Sequence, residues 1–398
     1  MRTLLTALLA AATLAGVAGA GGAREGQVLA VEWMAGGGQL RWASAPTLDA
    51  VGTEVLNVGG APASVSAASP DGRFVALGGG DGGRLRILEL EELRTSTLLQ
   101  LGGGFVSRGA WTTADRLHVL RLGDPNEVVT LDPHAGRVLE RRRFAGLVLD
   151  TVAADGRIVA LVAPAERIGP ARLAVVDRDG SLRTVRLQGV SAGVVATRSS
   201  AARTPVARNV HPGLTLSPDG AEAAVVALQK IVRVDLATLD QRTVKLVRRG
   251  LTAATKLPLS GWQQRAIWLP GGHFAVIGQS YSIRDSRSVQ TSTGLRLLDP
   301  EGESARTLDE KATGAALVGD TLLAYGGSAL RGFTSSGKLR FEALAGQSTG
   351  YVQTARGYAY VGVWSGTRFG LTVVEARTGR VVGELETSKP LVILDPGR

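Results

Sequence analysis

A short turn motif that recurs along the chain constrains the fold more than any other feature of this sequence. Ser69-Pro70-Asp71-Gly72 precedes the apolar run 74–77, and Ser217-Pro218-Asp219-Gly220 precedes the apolar run 223–226. Proline presets the backbone angle of the first central turn position, aspartate bonds its own backbone, and glycine accepts a positive φ. Each copy of the motif therefore predicts a tight hairpin between two short strands.

Related turns repeat with a period of roughly 40 to 45 residues, the length of one propeller blade. Variants of the first turn lie at 113–116, 154–157, 270–273, 318–320 and 356–357. A second turn follows each of them, with an acidic or hydroxyl residue and a glycine or threonine between two apolar strands, at 132–137, 177–181, 235–239, 299–302, 334–337 and 375–380. The unit is thus four antiparallel strands, and radial repetition of such units is typical of a β-propeller.

The number of units sets the size of the ring. Seven complete units run over 62–101, 105–144, 146–187, 211–247, 263–308, 313–344 and 349–387. An incomplete unit with strands at 27–34, 39–45 and 55–58 precedes them, and the short apolar run 391–394 follows. We therefore predict an all-β fold: a single β-propeller of eight four-stranded antiparallel blades, closed by the N- and C-terminal strands. Seven blades is the alternative, because that number is commoner.

The turns at 132–137 and 375–380 have the order acidic residue, two variable residues, Ala or Thr, Gly and Arg. This pattern resembles the YVTN-type and lactonase-like repeat propellers and, more loosely, the blades of quinoprotein dehydrogenases, over nearly all of the mature chain. The tryptophan docking motif of the quinone-binding members is absent: Leu139, Thr184 and Gly383 stand where aromatic packing is expected. The resemblance implies a scaffold, and a scaffold does not determine function.

The first residues predict export. Arg2 precedes an apolar and small-residue run over 4–20, with alanines at 18, 20 and 23. This is the pattern of a secretory signal peptide, and an uncleaved membrane anchor is the alternative because the run approaches the roughly 20 residues of a span. We expect a signal peptide over 1–23 and a propeller domain over 24–398, in a secreted, periplasmic or cell-envelope protein without a membrane span after cleavage.

Composition excludes several kinds of chemistry. The chain has no cysteine, which excludes disulfides, thiol catalysis and cysteine-based metal sites. Its formal net charge is +10, but the arginines are spread along the chain and aromatic residues are 5% of it. A nucleic-acid surface normally concentrates basic residues in a stripe, so we expect no nucleic-acid partner.

Catalytic and cofactor motifs do not emerge from the sequence. The four histidines, at 118, 134, 211 and 273, lack the spacing of a metal ligand set. The aspartates of the repeated turns recur because each blade needs the same turn, so we interpret them as structural, and we expect most tryptophans to pack between blades. The sequence predicts no catalytic residues, no metal and no cofactor.

Three insertions break the repeat, at 189–212, 250–264 and 279–294. In a four-stranded antiparallel blade, the connections that contain them emerge on one face, so we expect the three loops to share one face and one sector. We select their basic and aromatic residues as a partner-binding face: Arg203, Arg208, His211, Trp262, Tyr281, Arg284 and Arg287. The alternative is that these loops are disordered decorations of an arginine-rich sequence.

Two classes of function remain. The first is an exported, non-enzymatic and monomeric propeller that acts as a binding or scaffolding module, with an envelope protein or an anionic polymer as its partner. The second is a propeller enzyme acting on a lactone, a glycan or a quinone-linked substrate at a site in the central channel. Polar residues that converge from several blades into that channel are the feature that favours the enzyme.

Overall fold

The computed structural model describes residues 26–34, 37–59, 62–79, 82–197, 206–246, 259–284, 287–365, 368–386 and 391–395. The regular structure of these residues is β-strand throughout. No helix in this part of the chain is long and apolar enough to cross a membrane. The signal peptide that we expect over 1–23 lies outside the described residues.

The strands, in chain order, are β1 (Gln27–Met34), β2 (Gly37–Ser44), β3 (Leu56–Gly59), β4 (Pro62–Ala68), β5 (Phe74–Gly79), β6 (Arg84–Glu89), β7 (Arg94–Gln100), β8 (Phe105–Thr113), β9 (Arg116–Leu122), β10 (Asn126–Asp132), β11 (Arg137–Phe144), β12 (Leu147–Ala154), β13 (Arg157–Ala163), β14 (Gly169–Val176), β15 (Leu182–Thr197), β16 (Val206–His211) and β17 (Gly213–Leu216). They continue with β18 (Glu222–Val226), β19 (Lys230–Asp235), β20 (Gln241–Lys245), β21 (Leu259–Trp268), β22 (Phe274–Arg284), β23 (Arg287–Leu298), β24 (Ala305–Asp309), β25 (Gly314–Val318), β26 (Thr321–Tyr325), β27 (Leu330–Thr334), β28 (Leu339–Ala343), β29 (Ser348–Ala355), β30 (Tyr358–Ser365), β31 (Arg368–Glu375), β32 (Val381–Glu386) and β33 (Leu391–Leu394).

These strands form a β-propeller of four-stranded antiparallel units. Six units are separate sheets: β4–β7, β8–β11, β17–β20, β25–β28, β29–β32, and one made of β33 with β1–β3. The seventh sheet has nine strands, in the order β12-β13-β14-β15-β16-β21-β22-β23-β24. The sequence count of eight blades therefore differs from the number of separate four-stranded sheets, because β16 joins two of the predicted units into one sheet.

The two ends of the chain meet in one sheet. Strand β33 pairs antiparallel with β1, with Leu29 opposite Leu394 and Glu32 opposite Leu391. The side chains of Leu391 and Ile393 are buried against the neighbouring unit β29–β32. The predicted use of the 391–394 run as the missing strand of the first unit is confirmed by this pairing.

Apolar clusters fill the spaces between successive units. Alternate residues of each strand face opposite neighbours, so both faces of a sheet carry branched aliphatic side chains. Between β8–β11 and β12–β15, for example, Leu120 and Val128 pack against Ile158 and Val162. A comparable cluster lies between the units β29–β32 and β33/β1–β3, so the packing continues across the chain ends.

The tryptophan prediction is confirmed at three positions and wrong at one. Trp42 donates its Nε1–H to the Leu90 carbonyl in the next unit at 3.3 Å. Trp111 donates to Ser66 Oγ, also across units, at 3.0 Å, and Trp268 is buried between units. Trp364 instead is 51% exposed.

The repeated aspartates stabilise turns, as expected. Asp219 Oδ1 accepts hydrogen bonds from Ser217 Oγ at 2.6 Å and from the backbone N–H of Ala221 at 3.1 Å. Asp235 Oδ1 accepts two backbone N–H groups of its own turn, both at 2.8 Å. These hydrogen bonds lower the pKa of both carboxyl groups, so both aspartates are ionised at neutral pH. Each carboxylate stabilises its own turn.

Candidate functional site

The three insertions are hydrogen-bonded to one another in a single sheet. We call this part of the molecule the insertion sheet: residues 189–197 of β15, all of β16, residues 259–264 of β21, 279–284 of β22 and 287–294 of β23. β15 and β16 form an antiparallel hairpin, and β22 and β23 form another. β16 then pairs in parallel with β21, with Val210 opposite Trp262.

The structure corrects one expectation here. We expected three loops, but the described parts of the insertions are extensions of blade strands. The segments 189–197 and 279–284 alternate small, polar and apolar residues, which suits a strand with two different faces. The longer spacing between repeats indicated an insertion. It did not indicate that the blade strands continue into the insertion. Their placement on one face and in one sector agrees with the pairing.

The structure brings together most of the residues selected from the sequence. Arg208 is exposed on β16, and His211 ends the same strand, opposite Gln263. Trp262 lies half-buried beside Val210 on β21. Tyr281 on β22 is opposite Gly261.

Three selected residues remain, and two of them lie at the tip of a hairpin. Arg284 and Arg287 face each other at the tip of the β22–β23 hairpin. Arg203 lies outside the described residues.

A glycine makes the parallel pairing of β16 with β21 sterically possible. A Cβ at Gly261 would overlap the backbone of Asn209 on β16. Next to this contact, the Tyr281 hydroxyl lies 3.3 Å from Gln263 Oε1 and 3.1 Å from Gln279 Oε1. Burial raises the pKa of Tyr281 above its usual range, so its hydroxyl remains a hydrogen-bond donor at neutral pH.

The first strands of successive units form the wall around the centre of the propeller. β8 contacts both β4 and β12, β17 contacts β12 and β21, and β29 contacts β25 and β33. Side chains at one level of these strands can therefore meet across the central channel.

Backbone register identifies one such level. Asp150 of β12 pairs with Leu161 of β13. Leu161 lies four residues after Arg157, the first residue of β13. Arg108 of β8 and Tyr351 of β29 pair with residues at the same distance from their own hairpins. We call the set at this level the inner ring: Ser64, Arg108, Asp150, Gly213, Gln264, Gly314 and Tyr351.

Bulges lie next to several inner-ring residues. The register shifts by one residue immediately before Ser64, Arg108, Asp150 and Tyr351. A bulge bends its strand and re-aims the neighbouring side chain, and bulges are frequent next to functional sites. The repetition of this irregularity in four units at one level marks the inner ring as a specific arrangement.

Asp150 is the anionic member of the inner ring. Its Oδ1 accepts the Thr151 backbone N–H at 2.8 Å, and Arg108 Nε donates to the Thr151 carbonyl at 3.2 Å across the boundary between two units. Desolvation raises the pKa of the Asp150 carboxyl, while the charges of His211, Arg108 and Arg265 act in the opposite direction. Asp150 thus has basic side chains from three other strands near its carboxyl group.

His211 connects the insertion sheet to the inner ring. Burial lowers the pKa of its imidazole, the Asp150 charge partly offsets that effect, and Arg265 adds to it. His211 is consequently neutral at pH 7, with one ring nitrogen as donor and the other as acceptor. In the described part of the chain, neither His211 nor the Arg265 guanidinium makes a hydrogen bond or an ion pair.

The glycines of the inner ring leave room for neighbouring groups. The Tyr325 ring occupies the space that a side chain at Gly314 would fill. Burial raises the pKa of Tyr325, and the charge of Arg265 opposes this shift. Tyr325 therefore takes the place of the missing side chain beside Arg265.

Sequence reasoning missed the inner ring because its spacing is irregular. Bulges and turns of different length place its residues between 7 and 10 positions before the start of the second strand, as Tyr351 and Ser64 illustrate. No fixed interval in the sequence therefore connects them. Alignment of the units by strand register would have found them.

The described residues contain no group of three or more histidine, cysteine, aspartate or glutamate side chains that could hold a metal ion. Arg108, Asp150 and Tyr351 of the inner ring, together with the neighbouring His211, instead offer guanidinium, carboxylate, phenol and imidazole groups, a set suited to moving a proton.

Comparisons with known proteins agree on the scaffold. No protein-family model and no curated protein matches the chain. The structure of dihydro-heme d1 dehydrogenase NirN in complex with DHE is similar with a TM-score of 0.60, at 14% identity, over 93% of this chain and 75% of that one. Apo AztD from Citrobacter koseri is similar with a TM-score of 0.53, at 13% identity, over 92% of this chain and 97% of that one.

A weaker similarity, with a TM-score of 0.48 at 12% identity, relates 83% of the chain to 92% of BamB from Moraxella catarrhalis. At these identities the comparisons bear on the fold alone. The similarities to NirN and AztD show that the chain has the β-propeller scaffold that its repeats resemble.

Proposed function

We propose that this protein is an exported, non-enzymatic binding module of the cell envelope, which holds an anionic polymer or an acidic envelope protein on its insertion sheet. It is a monomer, with a signal peptide over 1–23 removed from a propeller over 24–398. The ring has eight blades, since the nine-stranded sheet contains two four-stranded meanders, β12–β15 and β21–β24.

One observation carries the proposal: three separate insertions are hydrogen-bonded into one sheet. Loops that merely decorate a fold have no reason to pair with each other across two blades. The sheet presents Arg208 to solvent and Arg284 with Arg287 at a hairpin tip. Arginine binds carboxylate, sulfate and phosphate through two parallel hydrogen bonds.

The test replaces Arg203, Arg208, Arg284 and Arg287 by Ser in the mature protein. Binding to isolated envelope fractions and to polyglutamate is measured from low to physiological salt. Exposed charge pairs contribute about 0.2–1 kcal/mol each, so loss of four should weaken binding at low salt by roughly tenfold or more. The salt dependence should flatten in parallel.

A matched control removes four exposed arginines elsewhere: Arg94, Arg137, Arg242 and Arg380. This variant has the same net charge as the test variant. Equal loss of binding in both variants would show a non-specific charge effect and refute the assignment to the insertion sheet.

The enzyme hypothesis has one observation in its favour, the convergence of Asp150 and His211 from different blades at the channel. A carboxyl group with a raised pKa beside a neutral imidazole is a suitable pair for proton transfer. A screen for lactone and glycan hydrolysis tests it. Turnover that Asp150→Asn abolishes, in a protein without a stable envelope partner, would establish the enzyme in place of the binding module.

A further inference from the structure

A cluster of arginines lies between the units β4–β7 and β8–β11, outside the insertion sheet. We propose that this cluster binds a tetrahedral oxyanion, such as a phosphate group, on Arg141 and Arg143 beside the connection between β7 and β8. This site is independent of the insertion sheet. It takes a single anionic group, whereas the proposed function assigns a polymer or an acidic protein to the insertion sheet.

Strand pairing places the charged side chains on one face of the unit β8–β11. Glu127 on β10 is opposite both Arg121 on β9 and Arg143 on β11. Arg141 lies two residues before Arg143 on β11, and side chains two residues apart in a strand share a face. One carboxylate is therefore bordered by three guanidinium groups.

The ion pairs with Glu127 hold the guanidinium groups of Arg141 and Arg143 in place. Glu127 Oε2 accepts a hydrogen bond from Arg141 Nη1 at 2.8 Å, and its Oε1 accepts one from Arg143 Nε at 2.9 Å. The Glu127 side chain is only 5% exposed, so it is a fixed anchor. Guanidinium groups that are already oriented lose less conformational entropy when they bind a ligand.

Both arginines keep donors that the fold does not use. Within the described residues, the two Nη groups of Arg143 have no hydrogen-bond partner, and neither has Nη2 of Arg141. The Arg143 side chain is 68% exposed and the Arg141 side chain is 35% exposed, so a ligand can reach these donors from solvent. A guanidinium group offers paired N–H donors that match the oxygens of a phosphate.

The connection between β7 and β8 borders the arginines. Arg141 Nη1 donates to the Leu101 carbonyl at 3.0 Å, and Arg121 Nη1 donates to the Gly103 carbonyl. A Cβ at Gly102 or Gly103 would meet no atom of the described residues within 4 Å. The space above this connection is therefore open, and an ion has room next to the guanidinium groups.

The charge balance of the cluster favours an anion. One carboxylate, Glu127, faces three guanidinium groups, so the cluster retains positive charge. Arg142 takes no part in it, because it lies on the other face of β11 and pairs with Glu140, with 2.8 Å between Nε and Oε1. Asp124, in the turn between β9 and β10, is exposed and forms no ion pair in the described part of the chain. A bound oxyanion would bring the cluster closer to neutrality.

Calorimetric titration of the mature protein at low ionic strength tests the proposal, with inorganic phosphate and glycerol 3-phosphate as separate probes. We expect saturable binding of a phosphate group at this site. Tighter binding of inorganic phosphate identifies the free ion as the ligand, and tighter binding of glycerol 3-phosphate identifies a phosphate monoester. Either result supports the site.

Arg143→Gln should weaken binding about tenfold, which corresponds to about 1.4 kcal/mol. This loss is modest for hydrogen bonds to a charged group because the side chain is largely exposed. Gly103→Asp tests the open space independently. It adds a carboxylate beside the arginines at a position without a positive φ and with room for a side chain, and it should also weaken phosphate binding.

Arg142→Gln is the matched control, because it changes the net charge equally and removes an arginine from the other face of the same strand. It should leave the affinity for phosphate unchanged, and unfolding midpoints verify that all three variants fold. The insertion-sheet variant with four serines should bind phosphate as the unmodified protein does. Arg143→Gln should bind polyglutamate normally, which separates this site from the proposed function.

Absence of binding for both probes at millimolar concentration would overturn the proposal. Equal weakening by Arg143→Gln and Arg142→Gln would overturn it as well, because it would show a general effect of charge. Unchanged affinity in Arg143→Gln or in Gly103→Asp would have the same consequence.

Discussion

Among the described residues, Glu127 forms ion pairs with three arginines at once. Its carboxylate accepts Arg141 Nη1 at 2.8 Å and Arg143 Nε at 2.9 Å, and Arg121 Nη2 lies 3.0 Å away. Burial would raise the pKa of Glu127, but the three guanidinium groups together hold it below its usual range. Two arginines of the run 141–143 therefore stabilise the fold through their ion pairs with Glu127.

Glu127→Gln should be strongly destabilising, because it leaves cationic groups without their counter-charge. Arg121 and Glu127 have side chains that are only 9% and 5% exposed. Removing one partner of a buried ion pair costs about 3–5 kcal/mol. Arg143→Gln, at a side chain that is 68% exposed, should cost less than about 1 kcal/mol. Denaturant unfolding compares the two variants, and similar small losses in both would contradict this reading.

His211 should make the protein less stable as the pH falls. Its folded pKa lies below the unfolded value of about 6.5. Under acidification below that value, the unfolded chain takes up a proton that the folded chain does not, so the free energy of unfolding decreases. His211→Gln should reduce this decrease. Unfolding midpoints at pH 7.5 and 5.5 measure it, and an unchanged slope in the variant would contradict the assignment.

Asp150 should affect the pH dependence of stability in the direction opposite to His211. Its folded pKa is raised above the unfolded value of about 3.9. The folded chain therefore binds the proton first, and this group adds stability as pH falls from its folded pKa toward the unfolded one. Asp150→Asn should remove that gain and relieve the cost of burying the charge at neutral pH.

At the scale of elements, the pairing of β16 with β21 holds the insertion sheet together. A Cβ at Gly261 would overlap the Asn209 backbone, so Gly261→Ala should open this pairing. We expect faster proteolysis within the insertion sheet and weaker polymer binding. Gly370→Ala is a matched control in β31, where the nearest atom to a new Cβ is the Leu385 carbonyl oxygen at 3.7 Å. Equal protease resistance in both variants would show that the pairing does not depend on this glycine.

For the whole molecule, the predictable part of the structure is the part that repeats. Pro, Asp and Gly must occupy defined turn positions, so turns such as 217–220 reveal the strands on either side. Ring closure by β33 was predictable because one unit lacked a strand. The inner ring was not, because bulges before Arg108 and Asp150 change the spacing between functional positions and turns.

The insertion sheet was only half predictable, for a different reason. Chain topology places the connections between strands on one face, so the shared sector of the insertions follows from strand order. The parallel pairing of β16 with β21 depends on a contact between Asn209 and Gly261, which are far apart in sequence. Such a contact leaves no local pattern.

The most direct test of polymer binding on the insertion sheet is hydrogen exchange of the mature protein with and without polyglutamate, read by mass spectrometry at peptide resolution. We predict slower exchange in the β15–β16 and β22–β23 hairpins, and no change in the turns of the opposite face, such as 217–220. Protection confined to that opposite face, or no protection at a polymer concentration that saturates binding, would contradict this prediction.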